Sequence, residues 1–391
     1  MIKTLCTLLL VTTTLAADPA GDNRVLTFCT AYPLKGDLTI IGRKMQAGME
    51  NYLRAFHHFV ENNSRSPQQN NVVFHHIYNA SDPGDDGMNE LKTTLAKHPL
   101  LVGSAGHETF LSLTPLIEKK KIALLFPLEG TSKIRKKNYP NVVYFRPSYE
   151  QELRALADYA IKTKFKNHVA IFFEASYWGE DLKSTLEKIL KEYEVASITS
   201  SSYPQGTVDI EHSLNVIANR FPDAMDGVAH TSPNVVFCLA QPRPALNFVS
   251  QAVNVGLHEC LFLGLSHLSV IQKLLHVHKG LDVAVTSVVP DAEHSNIELV
   301  RRYKEALSSF FTTHDDSPLY LEAFINYALL EQSLKEITGP ITPESILASV
   351  KAQTNLWGLP LKLNPATNTL SSALWINPGL GKPWVNVGEV S

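Results

Sequence analysis

Short apolar runs alternate with longer amphipathic stretches along most of the chain. Val169–Phe173 (VAIFF) and Val235–Leu239 (VVFCL) have the length and composition of strands buried on both faces of a parallel sheet. Val25–Cys29, Val72–Ile77, Leu100–Val102, Ala123–Phe126, Val142–Phe145, Ala196–Ser200, Leu261–Leu265 and Val283–Val288 read the same way. Between them, apolar positions recur at helical spacing. The clearest stripe runs from Gly42 to Val60 and puts Met45, Met49, Tyr52, Leu53, Phe56, Phe59 and Val60 on one face. Tyr149–Lys164, Tyr177–Tyr193, Arg243–Val255 and Asn296–Phe311 are further helices of this kind. Repeated strand–helix units predict parallel sheets covered on both faces, and this many strands exceed one comfortable sheet. The expected fold is α/β, with two doubly wound lobes.

The last third departs from this alternation. Leu319–Ile337 and Pro343–Val350 are helical with no strand between them, and short extended pieces follow at Leu359–Leu363 and Ala373–Ile376, separated by the turn Asn364–Asn368. Such a tail suits a chain that crosses back between two lobes.

One junction stands out. In Val169–Leu182 (VAIFFEASYWGEDL) a strand breaks at Glu174-Ala175-Ser176, presents Tyr177 and Trp178, and enters a helix through Gly179. Ligands of open α/β sheets bind beyond the carboxyl ends of the strands, so this aromatic pair is either a binding wall or core packing.

Residues 1–17 have the form of a secretory signal peptide: one lysine, an apolar core from Leu5 to Leu15, and small residues at Ala16 and Ala17. The apolar core is shorter than the roughly 20 residues that span a bilayer. The mature chain is therefore expected to be soluble and periplasmic or secreted. The formal charge of −3, made one unit more negative by loss of Lys3, favours neither nucleic acid nor an anionic membrane. Cys29, Cys238 and Cys260 then remain, each in or beside a strand-like run. They read as small core hydrophobes, with Cys238–Cys260 the conceivable disulfide.

Catalytic and metal signatures are missing or incomplete. Gly264-Leu265-Ser266-His267-Leu268 lacks the second glycine of a nucleophile elbow, His107-Glu108 lacks the second histidine of H-E-x-x-H, and no glycine-rich phosphate loop occurs. Asp82, Asp85, Asp86 and Glu90 do not have EF-hand spacing, and Asp82-Pro83 reads as a helix start. No cofactor and no metal are expected. The basic groups Lys119–Lys121 and Lys133, Arg135, Lys136, Lys137 read as solvated surface, or as a docking face for an acidic partner.

The order of several segments resembles the type I periplasmic binding proteins, in particular the Leu/Ile/Val-binding group of ABC importers. Ala31–Tyr52 is similar to that family's first strand, loop and helix, with Gly48 as its small residue. Asn79–Pro83, Val102–Ser104, Phe126-Pro127 with Thr131, Phe145–Ser148, Ser176–Gly179, Gln251–Leu257, Asn326–Ala328 and Gly358–Asn364 after Trp357 follow in the family's order. Together they span nearly all of the chain beyond the leader. The resemblance implies lobe 1 at 24–148 and 287–358, lobe 2 at 149–286 and 359–391, and a three-stranded hinge. It implies no enzyme activity. The implied function is capture of a small polar ligand, amino-acid-like or an amide, for the membrane permease of an ABC importer. A ligand-sensing subunit of a receptor system and an exported α/β hydrolase are the alternatives.

Carried over by position, the ligand-binding residues are Ser104, Gly106, His107, Glu129, Thr131, Tyr149, Trp178, Gln241, Ser266 and Tyr327. Trp178 takes the place of the family's aromatic clamp, and Tyr149 the place where amino-acid binders often carry an aspartate. The family's lobe 2 acid near Ser266 is missing, which leaves Glu129, Glu150 or Glu174 to meet an ammonium. Trp178 and Tyr327 retain core packing as an alternative role.

Overall fold

A computed structural model describes residues 25–62, 71–76, 86–218, 232–275, 281–309, 317–379 and 381–389. Residues 1–17, expected to be a signal peptide, and the Asn79–Pro83 segment lie outside these residues. No described helix is long and apolar enough to cross a membrane.

The first half of the molecule is built on a five-stranded parallel sheet. In chain order its elements are β1 (Val25–Ala31), α1 (Thr39–Asn62), β2 (Asn71–His76), α2 (Asp86–Leu95), β3 (Leu100–Ala105), α3 (His107–Glu118), β4 (Ala123–Leu128), α4 (Ser132–Arg135) and β5 (Val142–Val143). The spatial order is β2-β1-β3-β4-β5. β3 and β4 are buried at every position, as expected of strands built on the apolar runs Leu100–Val102 and Ala123–Leu128.

The chain then passes to a seven-stranded sheet through α5 (Tyr149–Asp158). Its elements are β6 (His168–Ala175), α6 (Tyr177–Leu190), β7 (Ser197–Pro204), α7 (Glu211–Ile217), β8 (Val235–Leu239), α8 (Pro242–Ala252), β9 (Leu261–Gly264), α9 (Ser269–Leu275) and β10 (Asp282–Ser287). It returns to the first sheet with α10 (Glu298–Ser309), α11 (Pro318–Glu336) and α12 (Pro343–Ala352), whose apolar faces share a core with β1, β3 and β4. A small hairpin follows, β11 (Asn355–Leu356) with β12 (Leu359–Pro360). Finally β13 (Ala373–Asn377) and β14 (Val385–Glu389) join the second sheet, β13 running antiparallel to β10. Three passes thus link the two sheets, giving a mixed α/β fold of two lobes.

Each sheet is covered on both faces. α1 and α11 pack together on one side of the first sheet, and α2 and α3 cover the other. Gly48 permits the first contact, because a Cβ there would lie 2.3 Å from the Tyr320 carbonyl oxygen. α5 and α6 cover one face of the second sheet, and α7, α8 and α9 the other. Cys29, Cys238 and Cys260 are buried free thiols, so the conceivable Cys238–Cys260 disulfide is not formed. Cys260 instead donates to the Pro233 carbonyl at 2.9 Å.

The basic loop after β4 corrects the solvated-surface reading at one position. Arg135 is only 2 % exposed. Its guanidinium donates to the carbonyls of Glu129, Arg146 and Pro147 and to Thr369 Oγ1, and lies over the Tyr144 ring. A planar five-donor fork can gather these loop carbonyls without a carboxylate partner, which a charge pattern along the sequence does not reveal.

Candidate functional site

The two sheets meet at the carboxyl ends of their strands, and a cleft of about 530 Å³ lies there. The first sheet contributes Lys35–Leu38 after β1, Ile41 on α1, Gly106–Glu108 after β3, and Leu128 and Glu129 at the end of β4. The second contributes Glu174 from β6, Trp178 from α6, Gln205 and Gly206 after β7, Gln241 after β8 and His267 after β9, with Tyr149 at the start of α5. This is the place where doubly wound sheets expose loops and helix N-termini to a ligand.

Local sequence sets several of these positions. Ser148 and Gln151 form a capping box that starts α5 and fixes Tyr149. Ser176 Oγ accepts from the Gly179 N–H and starts α6. The turn is so tight that a Cβ on Gly179 would sit 2.0 Å from the Glu174 carbonyl oxygen. α3 begins after Gly106 with no side-chain cap, so its first backbone N–H groups are not spent on a capping side chain, and Gly106, His107 and Glu108 of this start line the cleft.

His107 is the first residue of α3. Its Nδ1–H donates to Glu129 Oε2 at 3.0 Å, and Glu129 Oε1 accepts from the Thr131 N–H at 2.7 Å. Burial alone would raise the Glu129 carboxyl and lower the His107 imidazole. Their mutual hydrogen bond and opposite charges outweigh it, so Glu129 titrates below its usual range and His107 above its own. His107 Nε2 is buried without a hydrogen-bond partner.

His267 supplies the complementary group from the other sheet. Its Nε2–H donates to the Ala240 carbonyl at 3.0 Å, which makes Nδ1 a lone-pair acceptor in the neutral ring. That atom is also buried and without a partner. Burial holds the imidazole neutral, with its pKa lowered to about 4. Glu174 Oε2 accepts from the Tyr203 hydroxyl at 3.0 Å, and Tyr203 in turn accepts from the Gln241 N–H at 3.0 Å. Burial raises the Glu174 carboxyl, against the hydrogen bonds from Ser176 and Tyr203.

Trp178 is 7 % exposed and meets both Tyr149 and His267 edge to face, at ring separations of 6.3 and 5.7 Å. It lines the cleft and also belongs to the core of the second sheet. Tyr177 points the other way. It is 55 % exposed and stacks on His107, while Lys133 lies over its ring and donates to buried Asp181 at 2.8 Å.

Of the residues singled out in the sequence, Gly106, His107, Glu129, Tyr149, Trp178 and Gln241 line this cleft together. Ser104, Thr131, Ser266 and Tyr327 lie outside its lining. Ser104 is an interior position of β3, and Thr131 precedes α4. Tyr327 donates to the Val102 carbonyl beneath β3 at 3.0 Å. Ser266 belongs to a buried charged cluster under the cleft. Arg146 donates to Ser266 Oγ and lies 3.5 Å from Glu152 on α5 and 3.6 Å from Glu322 on α11. Ser266 and His267 therefore do not form a nucleophile–base pair. Among the described residues no group of three or more His, Cys, Asp or Glu side chains can hold a metal ion.

Lys35, Asp37, Ile41, Gln205 and Gly206 were not among the expected site residues. Lys35, Asp37 and Ile41 fall within the Ala31–Tyr52 segment that resembles the family's first strand, loop and helix, whereas Gln205 and Gly206 follow a strand in a loop with no motif. In the sequence His267 stands out only as the neighbour of Ser266.

The sequence profile of the family described as periplasmic binding protein matches residues 92–376. Comparison with curated protein sequences gives no match. Among solved structures, a possible leucine/isoleucine/valine-binding protein from Rhodopirellula baltica is similar, with TM-score 0.79 and 22 % identity over 95 % of this chain and 98 % of that one. A solute-binding protein of an ABC transporter from R. palustris, in complex with benzoate, aligns with TM-score 0.74 and 18 % identity over 94 % and 96 %. A branched-chain amino acid transporter substrate-binding protein from Streptococcus pneumoniae, in complex with isoleucine, aligns with TM-score 0.73 and 12 % identity over 93 % and 99 %. The matched profile runs through both sheets and the passes between them, and the chain belongs to the periplasmic binding protein family, with its two-lobed type I fold.

Proposed function

We propose that the chain is an exported solute-binding protein that captures a small polar, amino-acid-like solute in this cleft and delivers it to the membrane permease of an ABC importer. The observation that carries the reading is the pair of buried atoms without partners, His107 Nε2 from one sheet and His267 Nδ1 from the other. A buried polar atom left unpaired costs about 1–3 kcal/mol, so a solute that meets both is favoured, and only the closed arrangement lets it do so. The uncapped N-terminus of α3 with His107 suits a carboxylate. Of the three acids considered for an ammonium, Glu174 alone faces the cleft without a cationic partner: Glu129 is paired with His107, and Glu150 accepts from Ser132 outside the lining. Trp178 and Tyr149 form the apolar wall.

The test is to denature the purified protein, identify any small molecule released, and screen the refolded chain by thermal shift. A ligand at 100 times its dissociation constant stabilises by about 2.7 kcal/mol, a readily measured shift. Failure of every amino acid, amide and related small solute to shift the melting point would refute the reading.

A further inference from the structure

The charges on the cleft wall do not balance. Its carboxylates are Asp37, Glu108, Glu129 and Glu174, and its cationic side chains are Lys35 and His107. Glu129 is committed to His107 and to the Thr131 N–H. Lys133 nearby is committed to Asp181. Asp37, Glu108 and Glu174 thus face the same space against Lys35. They come from both sheets and act on one another: Asp37 and Glu108 each disfavour ionisation of Glu174, in addition to its burial. Glu174 is only 4 % exposed, so its charge is weakly screened.

A second observation lies in the same cleft. His267 is 2 % exposed, and its Nδ1 has no hydrogen-bond partner. Because Nε2–H is committed to the Ala240 carbonyl, Nδ1 can only accept. The unmet need here is for an N–H or O–H donor. The Trp178 ring beside it, with Tyr149 packed against that ring, favours a cation over an anion.

We propose that the cleft selects solutes of net positive charge, an ammonium or guanidinium whose N–H groups donate to Glu174 and to His267 Nδ1, with Asp37 and Glu108 supplying further negative potential. This rests on the solute-binding reading above and narrows it. A neutral amino acid brings one cationic group and one anionic group, and leaves the excess negative charge in place. A basic amino acid or a diamine offsets it.

The test uses protein freed of bound solute by unfolding and refolding, titrated calorimetrically with L-arginine, L-lysine, putrescine, L-leucine, L-glutamate and benzoate. The expected result is that at least one of the three cationic solutes binds tenfold or more tighter than leucine, glutamate and benzoate. Arginine or lysine ahead of putrescine means that the α3 N-terminus takes a carboxylate as well; putrescine ahead means that the cationic group alone suffices, and either result supports the proposal. Glu174→Gln keeps an acceptor for Tyr203 and is expected to weaken the best cation at least tenfold, and by a clearly larger factor than leucine, whose ammonium is offset by its own carboxylate. Asp37→Asn, in a loop, is a second variant that does not disturb β6, with an expected loss of about threefold. Leucine or an anion binding as tightly as any cation would overturn the proposal and leave the solute-binding reading standing. Cation affinity unchanged in both variants would also overturn it. No binding by any of the six, with no other solute shifting the melting point, would overturn both.

Discussion

Tyr177 stacks on His107 with ring centroids 5.5 Å apart and 19° between planes, so the first turn of α6 is held against the first turn of α3. The two helices belong to different sheets, and the contact closes one side of the cleft beside the Lys133–Asp181 ion pair. The ring's outer face remains exposed, which places this contact at the boundary of the lobes and outside either core.

Removing that ring is expected to weaken closure without unfolding either lobe. Aromatic pairs contribute about 0.5–1.5 kcal/mol beyond their buried area, so Tyr177→Ala should lower ligand affinity roughly 2- to 12-fold. Small-angle scattering should show a more open form of the ligand-free chain. Unchanged affinity and dimensions would mean that the stack contributes nothing to closure.

Trp178 is a different case. Its indole is part of the second core as well as the cleft wall, so Trp178→Ala should cost about 3–5 kcal/mol of folding stability together with affinity. Trp178→Phe should recover most of the stability. Urea denaturation of both variants measures this directly, and a Trp178→Ala chain as stable as wild type would remove the packing role.

The two cleft histidines should give opposite pH signatures. Glu129 is shifted down, so its contribution is present above its unfolded pKa near 4.3 and is lost as pH falls through the lower folded value. His107 is shifted up, so its contribution is present below its unfolded pKa near 6.5 and is lost as pH rises through the folded value. The pair therefore stabilises most between roughly pH 4.3 and 6.5. His267 stays neutral down to about 4, so the unfolded chain binds the extra proton and stability rises with pH across about 4 to 6.5, by on the order of 3 kcal/mol in all. Denaturation free energies of wild type, His107→Gln and His267→Gln, measured from about pH 4 to well above 6.5, separate the two. His267→Gln should flatten the acid slope, and His107→Gln should lose its deficit as pH rises.

Gly179→Ala should damage the site through the backbone. The added methyl overlaps the Glu174 carbonyl oxygen, so the start of α6 must move away from β6, carrying Trp178 with it. A loss of about 1–3 kcal/mol in stability is expected, with weakened binding. Gly339→Ala, where no atom lies within 4 Å of the new Cβ, is the neutral control. Equal melting temperatures for the two variants would contradict the geometry.

The strands were legible because strands buried on both faces leave continuous apolar runs, as in VVFCL at β8, buried throughout. β14 was missed for the opposite reason: VNVGE is an edge strand mixing apolar and polar residues. The start of α6 was legible as the break in the pattern at Glu174–Ser176, and Ser176 caps it. The cleft was legible where a residue sat in a recognisable junction, as Gly106, His107 and Trp178 do. It was opaque where long-range folding decides: Arg146, Glu152 and Glu322 look like surface charges in the sequence, and only the approach of α5 and α11 buries them together.

The pairing of α1 with α11 has a consequence for how the chain acquires its structure. Tyr52 on α1 donates to Glu331 on α11 and meets Phe324 edge to face, although most of the chain separates them. The second sheet likewise gains β13 and β14 only from the last residues. Neither lobe can be completed while the C-terminal third is still being synthesised, and contacts this distant in sequence slow folding. Both halves of a chain of this design are therefore expected to consolidate late, once the α11 segment is available to cover α1.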